Sequence, residues 1–244
     1  MPAATCPIDG LNKELSNKHM NYYFDLFNKN LEDRGQTPLD RERPYIVQIA
    51  RFDPSKGIPD VLESYRLLRK RLKEEGSGGD IPQLVLAGHG AVDDPEGKPI
   101  YEETMKAIKS EDYKDISADI KVARLPPNDQ VLNALMRGSR FALQLSHYEG
   151  FEVKVSEALA KGKPVISYNA GGIPLQIKDG EDGYVIPKVG DVESVAERMH
   201  ALTTDNELYN RMSQNAEKMV RDDIWTIPNA TNWLYLAREL TAGR

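Results

Sequence analysis

Two hydrophobic textures alternate along the chain. Short apolar runs, rich in β-branched residues, recur at "PYIVQIA" (44–50), "PQLVLAG" (82–88), "ADIKVARL" (118–125), "RFALQLS" (140–146), "KPVISY" (163–168) and "DGYVIP" (182–187). Their length and continuity predict buried strands. Between them apolar residues recur at helical spacing, as in "IPDVLESYRLLRKRLKEE", where Val61, Leu62, Tyr65, Leu68 and Leu72 share a face. "KPIYEETMKAIKS" and "NDQVLNALMRGS" are helical in the same way, the second capped by Asn128 or Asp129. "GSGGD" (76–80) ends the helix before it. Residues 1–9 predict a tether, 10–33 a helix carrying Leu11, Leu15, Tyr22, Tyr23, Leu26, Phe27 and Leu31, and 34–43 a polar loop. "DVESVAERMHALTTD", "NELYNRMSQNAEKMV" and "NATNWLYLAREL" predict three terminal helices.

Strand–helix alternation with short connections implies parallel βαβ units with right-handed crossovers. The expected fold class is α/β: a single doubly wound, Rossmann-like domain with a parallel sheet and C-terminal helices. Residues 1–43 form a linker and N-terminal helix, and 44–244 the Rossmann-like domain. Ligands of such sheets bind outside the carboxyl ends of the strands. That directs attention to the loops after Ala50, Ala87, Leu125, Ser146 and Tyr168.

Those loops hold the unusual residues. "RFDPSKG" (51–57) places Arg51 and Lys56 around an Asp-Pro turn. A guanidinium fork and an ammonium together suit a phosphate, although two solvated cations at a helix start would look the same. "GHGAVDDPEG" (88–97) has glycines that permit close backbone approach. It lacks the third glycine of a dinucleotide fingerprint, since position 93 is Asp. "HYEGFEVKVSEALAKGKPVIS" (147–167) carries Glu149, then Gly150-Phe151, then a helix whose first turn includes Val153 and Lys154. Free amides there would suit an anion. Glu157, one turn on, would rise beside them and could accept from sugar hydroxyls. Alternatively, Glu149 and Glu152 simply favour a helix N-terminus. "NAGGIPLQI" (169–177) has a glycine pair that either exposes amides or caps a helix. Cations, amides and carboxylates at one sheet edge together suit a phosphorylated sugar better than a metal or an apolar ligand.

Composition narrows the classes. The 244 residues carry a formal charge of −6 and are 40% apolar. No apolar run approaches the ~20 residues of a membrane span, and "MPAATCPIDG" has no signal-peptide pattern. One cysteine, Cys6, makes no intrachain disulfide, so a cytoplasmic protein is expected. The acidic balance argues against nucleic acid as a partner. His19, His89, His147 and His200 show no metal-ligand spacing, and neither a P-loop nor a G-x-S-x-G elbow occurs. No metal and no cofactor are expected.

"RFDPSKG", "SHYEGFEVKVSEALAKGKPVI", "NAGGIP" and "DGEDGYV" occur in the order found in the C-terminal half of retaining GT-B glycosyltransferases. The resemblance covers roughly residues 44–240. "DDPEG" and "EGFEVKVSEAL" resemble the trehalose phosphorylase and trehalose synthase branch, the fungal phosphorylases above all. Most of the superfamily has Gly-Leu where this chain has Glu152-Val153, and the phosphorylase branch carries the same residues.

The resemblance implies one half of a GT-B fold, a donor- and phosphate-binding domain. Arg51 and Lys56 would hold phosphate or diphosphate. Glu149 would be the catalytic residue, contacting the donor glucose, and the amides of Gly150, Phe151, Glu152 and Val153 would contact sugar and phosphate. Glu157 matches the acid that holds ribose hydroxyls in nucleotide donors, and Glu152 is expected to pair with Lys154. The implied reaction is reversible phosphorolysis of trehalose to glucose 1-phosphate and glucose. The alternatives are a nucleotide-sugar-dependent glycosyltransferase domain using UDP- or ADP-glucose, and a non-catalytic phosphosugar-binding domain. The implied partners are phosphate, glucose 1-phosphate or a nucleotide sugar, trehalose or glucose, and an N-terminal GT-B domain. "PIDGLNKELS" resembles the linker that follows that domain. "IWTIPNATNWLYLAREL" either crosses back onto it or packs on its own sheet. Left bare, that segment would promote a homodimer. Alone, the chain is expected to have little transferase activity.

Overall fold

A computed structural model describes residues 2–76, 81–89 and 97–242. Six strands, β1 (Tyr45–Ile49), β2 (Gln83–His89), β3 (Ile120–Leu125), β4 (Phe141–Gln144), β5 (Val165–Tyr168) and β6 (Gly183–Ile186), form one sheet in the order β3-β2-β1-β4-β5-β6. Every pairing is parallel, with Val47 opposite Val85 and Ala142 in register. The order reverses between β1 and β4. A doubly wound sheet opens a crevice at the carboxyl ends of the two strands flanking such a reversal.

Helices cover both faces. On one lie α1 (Asn17–Glu32), α4 (Asp129–Gly138) and α5 (Val153–Leu159), and on the other α2 (Ile58–Glu74) and α6 (Val192–Thr204). Strand alternation divides the core accordingly. Val47 and Val85 meet Phe27, Leu31 and Leu135, whereas Ile46 and Leu84 meet Tyr65, Leu68 and Met199. α2 buries all five residues of its expected face. α3 (Gly97–Ala107), α7 (Asn206–Met219) and α8 (Thr226–Ala242) complete the described helices.

The N-terminal region differs from its sequence expectation. α1 starts at Asn17, not near residue 10, because Ser16 caps it by accepting from the His19 amide. Before that, Asp9 Oδ1 accepts from the amides of Leu11 and Asn12, each at 2.9 Å, and holds a turn. Nor is the segment through residue 9 a loose tether. The Thr5 amide donates to the Ile224 carbonyl at 2.8 Å and its carbonyl accepts from Thr226 at 3.0 Å. Of the two candidates for the α4 cap, Asn128 is the one whose side chain accepts from Val131.

α8 does not pack on its own sheet. Asn229 is its buried residue, and Ile227, Trp233, Leu234, Tyr235 and Leu240 are exposed. Among the described residues, no helix is long and apolar enough to cross a membrane.

Candidate functional site

The site is assembled by the turn after β1 and the loop after β4. Beyond β1, Asp53 accepts from the amide and hydroxyl of Ser55 at 2.8 and 2.6 Å. Those bonds hold its carboxyl below the ordinary range. The short turn Pro54–Lys56 then closes at Gly57, which has φ 60°. A Cβ at Gly57 would lie 2.0 Å from the Leu145 carbonyl oxygen, so conformation and space both require glycine. Buried Gln48 ties the two sides together. Its Nε2 donates to the Lys56 carbonyl at 2.8 Å and its Oε1 accepts from the Leu145 amide at 3.1 Å.

Lys56 is thereby aimed across the strand-order reversal. Its side chain is 8% exposed, and its ammonium pairs with Glu149 and, at 2.6 Å, with Glu152 Oε2. Burial disfavours the ammonium, but the two carboxylates outweigh it and raise the pKa above the ordinary lysine value. The carboxylates respond differently. Burial opposes ionisation of Glu149, yet Lys56 wins and holds it low. For Glu152 burial, helped by the neighbouring Glu149 charge, prevails over Lys56 and the pKa rises. Gln144 Nε2 also donates to Glu152 Oε2, at 3.2 Å.

The Glu149 loop is braced from two sides. Its His147 amide donates to the Ser55 carbonyl at 2.7 Å, and the His147 ring meets Asp60 at 2.8 Å. Tyr168 donates to the same Asp60 oxygen at 2.9 Å. On the other side, the Gly172 amide donates to the Gly150 carbonyl at 2.6 Å. A Cβ at Gly171 would lie 1.9 Å from the Glu149 carbonyl oxygen. The glycine pair of "NAGGIP" thus serves close backbone approach, with the Gly172 amide engaged. Among the described residues, the amides of Phe151, Glu152 and Val153 have no acceptor.

A cavity of about 190 Å³ opens here, bordered by Arg51, Lys56, Gly88, His89, Glu152 and Lys154. Arg51 is half-exposed and 3.7 Å from Asp53, so it can swing towards an anion. A larger cavity, about 510 Å³, lies at the opposite edge of the sheet beside Arg66, Lys70 and Lys73. Its lining also includes Arg69, Asp112 and Asp115, but it lies away from the strand-order reversal.

Of the expected site residues, Arg51, Lys56 and Glu152 border this cavity, Glu149 is tied to it through Lys56, and Gly150, Phe151 and Val153 adjoin Glu152 in the chain. Glu157 does not border it. It is buried, with Oε1 accepting from Thr5 at 2.8 Å and Asn12 at 3.4 Å, and Oε2 from the Lys154 ammonium at 2.8 Å. The expected Glu152–Lys154 ion pair is replaced by Glu152–Lys56 and Glu157–Lys154. Of Lys154, the Glu152 carboxylate meets the backbone amide, at 3.3 Å, and not the ammonium. His89, Leu132 and Gln144 were missed from sequence; of these, His89, beside the quoted Gly88, carried a local signal. Most of the "DDPEG" stretch, residues 93–96, lies outside the described residues.

The model of the family described as glycosyl transferases group 1 matches residues 29–219. Trehalose phosphorylase of Grifola frondosa is 50% identical over 236 residues, which are 96% of this chain and 32% of that protein. Trehalose synthase of Pyrococcus horikoshii is 35% identical over 98% of this chain and 52% of that protein. This chain therefore spans about a third of the length of the trehalose phosphorylases it matches. A glycosyltransferase from Rickettsia africae superposes with a TM-score of 0.73 at 18% identity, covering 98% of this chain and 56% of that one, which establishes a shared fold. With the family model matched across most of its length, the chain belongs to the glycosyl transferases group 1 family.

Proposed function

We propose that this chain is the phosphate- and donor-sugar-binding half of a retaining glucosyltransferase that acts on trehalose. The reaction is reversible phosphorolysis to glucose 1-phosphate and glucose. One observation carries the reading: a buried lysine, Lys56, stands at the strand-order reversal between Arg51 and amides without acceptors. Preorganised donors of this kind stabilise a transferring phosphate and the charge that develops as the glycosidic bond breaks. Glu149, fixed by Lys56, is the catalytic residue facing the glucose ring. The half-identity to trehalose phosphorylases supports the choice of sugar.

A nucleotide-sugar donor is the second reading. Against it stands Glu157, whose two oxygens are engaged by Thr5, Asn12 and Lys154 and so are withheld from a ribose. Calorimetric titration with inorganic phosphate, glucose 1-phosphate and UDP-glucose separates the two. The first reading expects phosphate and glucose 1-phosphate to bind as well as or better than UDP-glucose. UDP-glucose binding tenfold tighter would establish the second.

Retaining transfer also needs water excluded from the reacting centre. We infer that a second Rossmann-like half faces this edge and seats on the exposed apolar residues of α8, and that the protein is cytoplasmic. Without that half, α8 pairs with a second copy. Rapid trehalose phosphorolysis by the purified chain would refute the need for a facing half. A concentration-independent monomer in size exclusion would refute the self-pairing.

A further inference from the structure

Glu152 has φ 57° and ψ 79°, and among the described residues it is the one non-glycine residue with positive φ. Glycine would take this conformation without steric cost, so a backbone requirement alone does not call for glutamate. What the side chain adds is a carboxylate bordering the cavity, on the ammonium that an incoming anion needs. Glu149 grips that ammonium too but does not border the cavity.

The charges facing Glu152 come from every neighbouring element. Lys56 and Arg51 follow β1, His89 ends β2 with Asp129 at 3.2 Å behind it, and Glu149 follows β4. Lys154 lies on α5, neutralised by Glu157. Arg51, which also faces Asp53 at 3.7 Å, Lys56 and Lys154 are thus outnumbered by Asp53, Glu149, Glu152 and Glu157 before any phosphate enters. A phosphate dianion placed against Lys56 would then meet an unprotonated carboxylate at hydrogen-bond range, a strong repulsion at low dielectric.

We propose that Glu152 is a proton-linked gate on the anion site: phosphate binding is coupled to uptake of one proton from solvent by the Glu152 carboxylate. Protonation removes one of the two carboxylate charges on Lys56, leaving Glu149, and turns Glu152 from an acceptor into a donor that the phosphate can use. Burial already pushes the Glu152 carboxyl upward, while Lys56 keeps Glu149 ionised. The inference rests on the pocket being a phosphate site.

The test is calorimetric titration of the 244-residue chain with inorganic phosphate, in buffers of different ionisation enthalpy, between pH 6 and 8. Glu152→Gln keeps the shape, and Glu152→Gly relieves the backbone and guards against misfolding. Phosphate's own titration is common to all three proteins and cancels in the comparison. The wild-type chain should take up more protons per anion than either variant, and its affinity should fall as pH rises. At pH 8 the variants should bind about tenfold tighter, the equivalent of one pKa unit of linkage. Equal proton uptake in all three proteins overturns the linkage but leaves the phosphate site standing. No phosphate binding by any of them overturns the site reading and the gate with it.

Discussion

Two partly buried ion clusters sit at opposite edges of the same sheet, with opposite minorities. At the amino edge, one carboxylate is held by two guanidinium groups: Asp119 accepts from Arg43 at 2.7 Å and from Arg69 at 2.6 Å. At the carboxyl edge, one ammonium is held by two carboxylates, Glu149 and Glu152. The amino-edge cluster also borders a cavity, through Arg69, but its single carboxylate is saturated. Arg43 also donates to the Ile81 carbonyl and Arg69 to the Tyr65 hydroxyl, and the arginines hold Asp119 low despite its burial. The carboxyl-edge cluster is open. Its carboxylates outnumber their cation, their pKa values are pushed apart, and it borders a cavity. Saturated networks of this kind staple elements together, whereas a lysine shared between unequal carboxylates is available for exchange with a ligand.

The contrast predicts which changes cost stability and which cost binding. Asp119→Ala leaves two arginines facing each other with no anion. It should lower unfolding free energy by about 3 kcal/mol in urea titration, with phosphate affinity unchanged. Lys56→Met should cost less stability, about 2 kcal/mol, because its carboxylates can take protons, while phosphate affinity falls about a hundredfold, close to 3 kcal/mol.

The pH dependence should also split. The Asp119 pKa is depressed, so its contribution is complete above the ordinary value of about 3.9 and is lost as pH falls through the depressed one. The Asp119→Ala deficit should therefore persist from pH 7 to pH 5 and close only in acid. The Glu152 pKa is raised, so its penalty is present above that value and relieved as pH falls. Glu152→Gln should accordingly raise the melting temperature by about 2 °C at pH 8 and by nothing near pH 4. Smallest of all, Glu102→Ala, which breaks the exposed Lys98–Glu102 pair on α3, should change stability by less than about 0.5 kcal/mol. A larger effect there would undermine the distinction between buried and exposed pairs.

The strands were legible because buried parallel strands are continuous apolar runs, and the α2 face because its period is helical. Arg51, Lys56 and Glu149 were legible because each follows a strand at one edge. Glu157 was half legible. Its position on α5 follows from sequence, but its partners Thr5 and Asn12 lie 152 and 145 residues away. No local pattern says that the N-terminal segment returns to that helix. The Arg43–Asp119–Arg69 cluster was invisible for the same reason, since three separate connections supply it. Residues 10–16 were misassigned because their apolar spacing is helical while Asp9 and Ser16 offer the backbone stronger local acceptors.

Amide chemical-shift mapping of the isotope-labelled chain during titration with glucose 1-phosphate tests the central claim most directly, because it reports on both edges at once. The account predicts shifts concentrated at residues 50–56 and 150–154, with Arg43, Arg69 and Asp119 unmoved, and loss of those shifts in Lys56→Met. Binding with shifts centred on the amino edge, or undiminished in Lys56→Met, would contradict it.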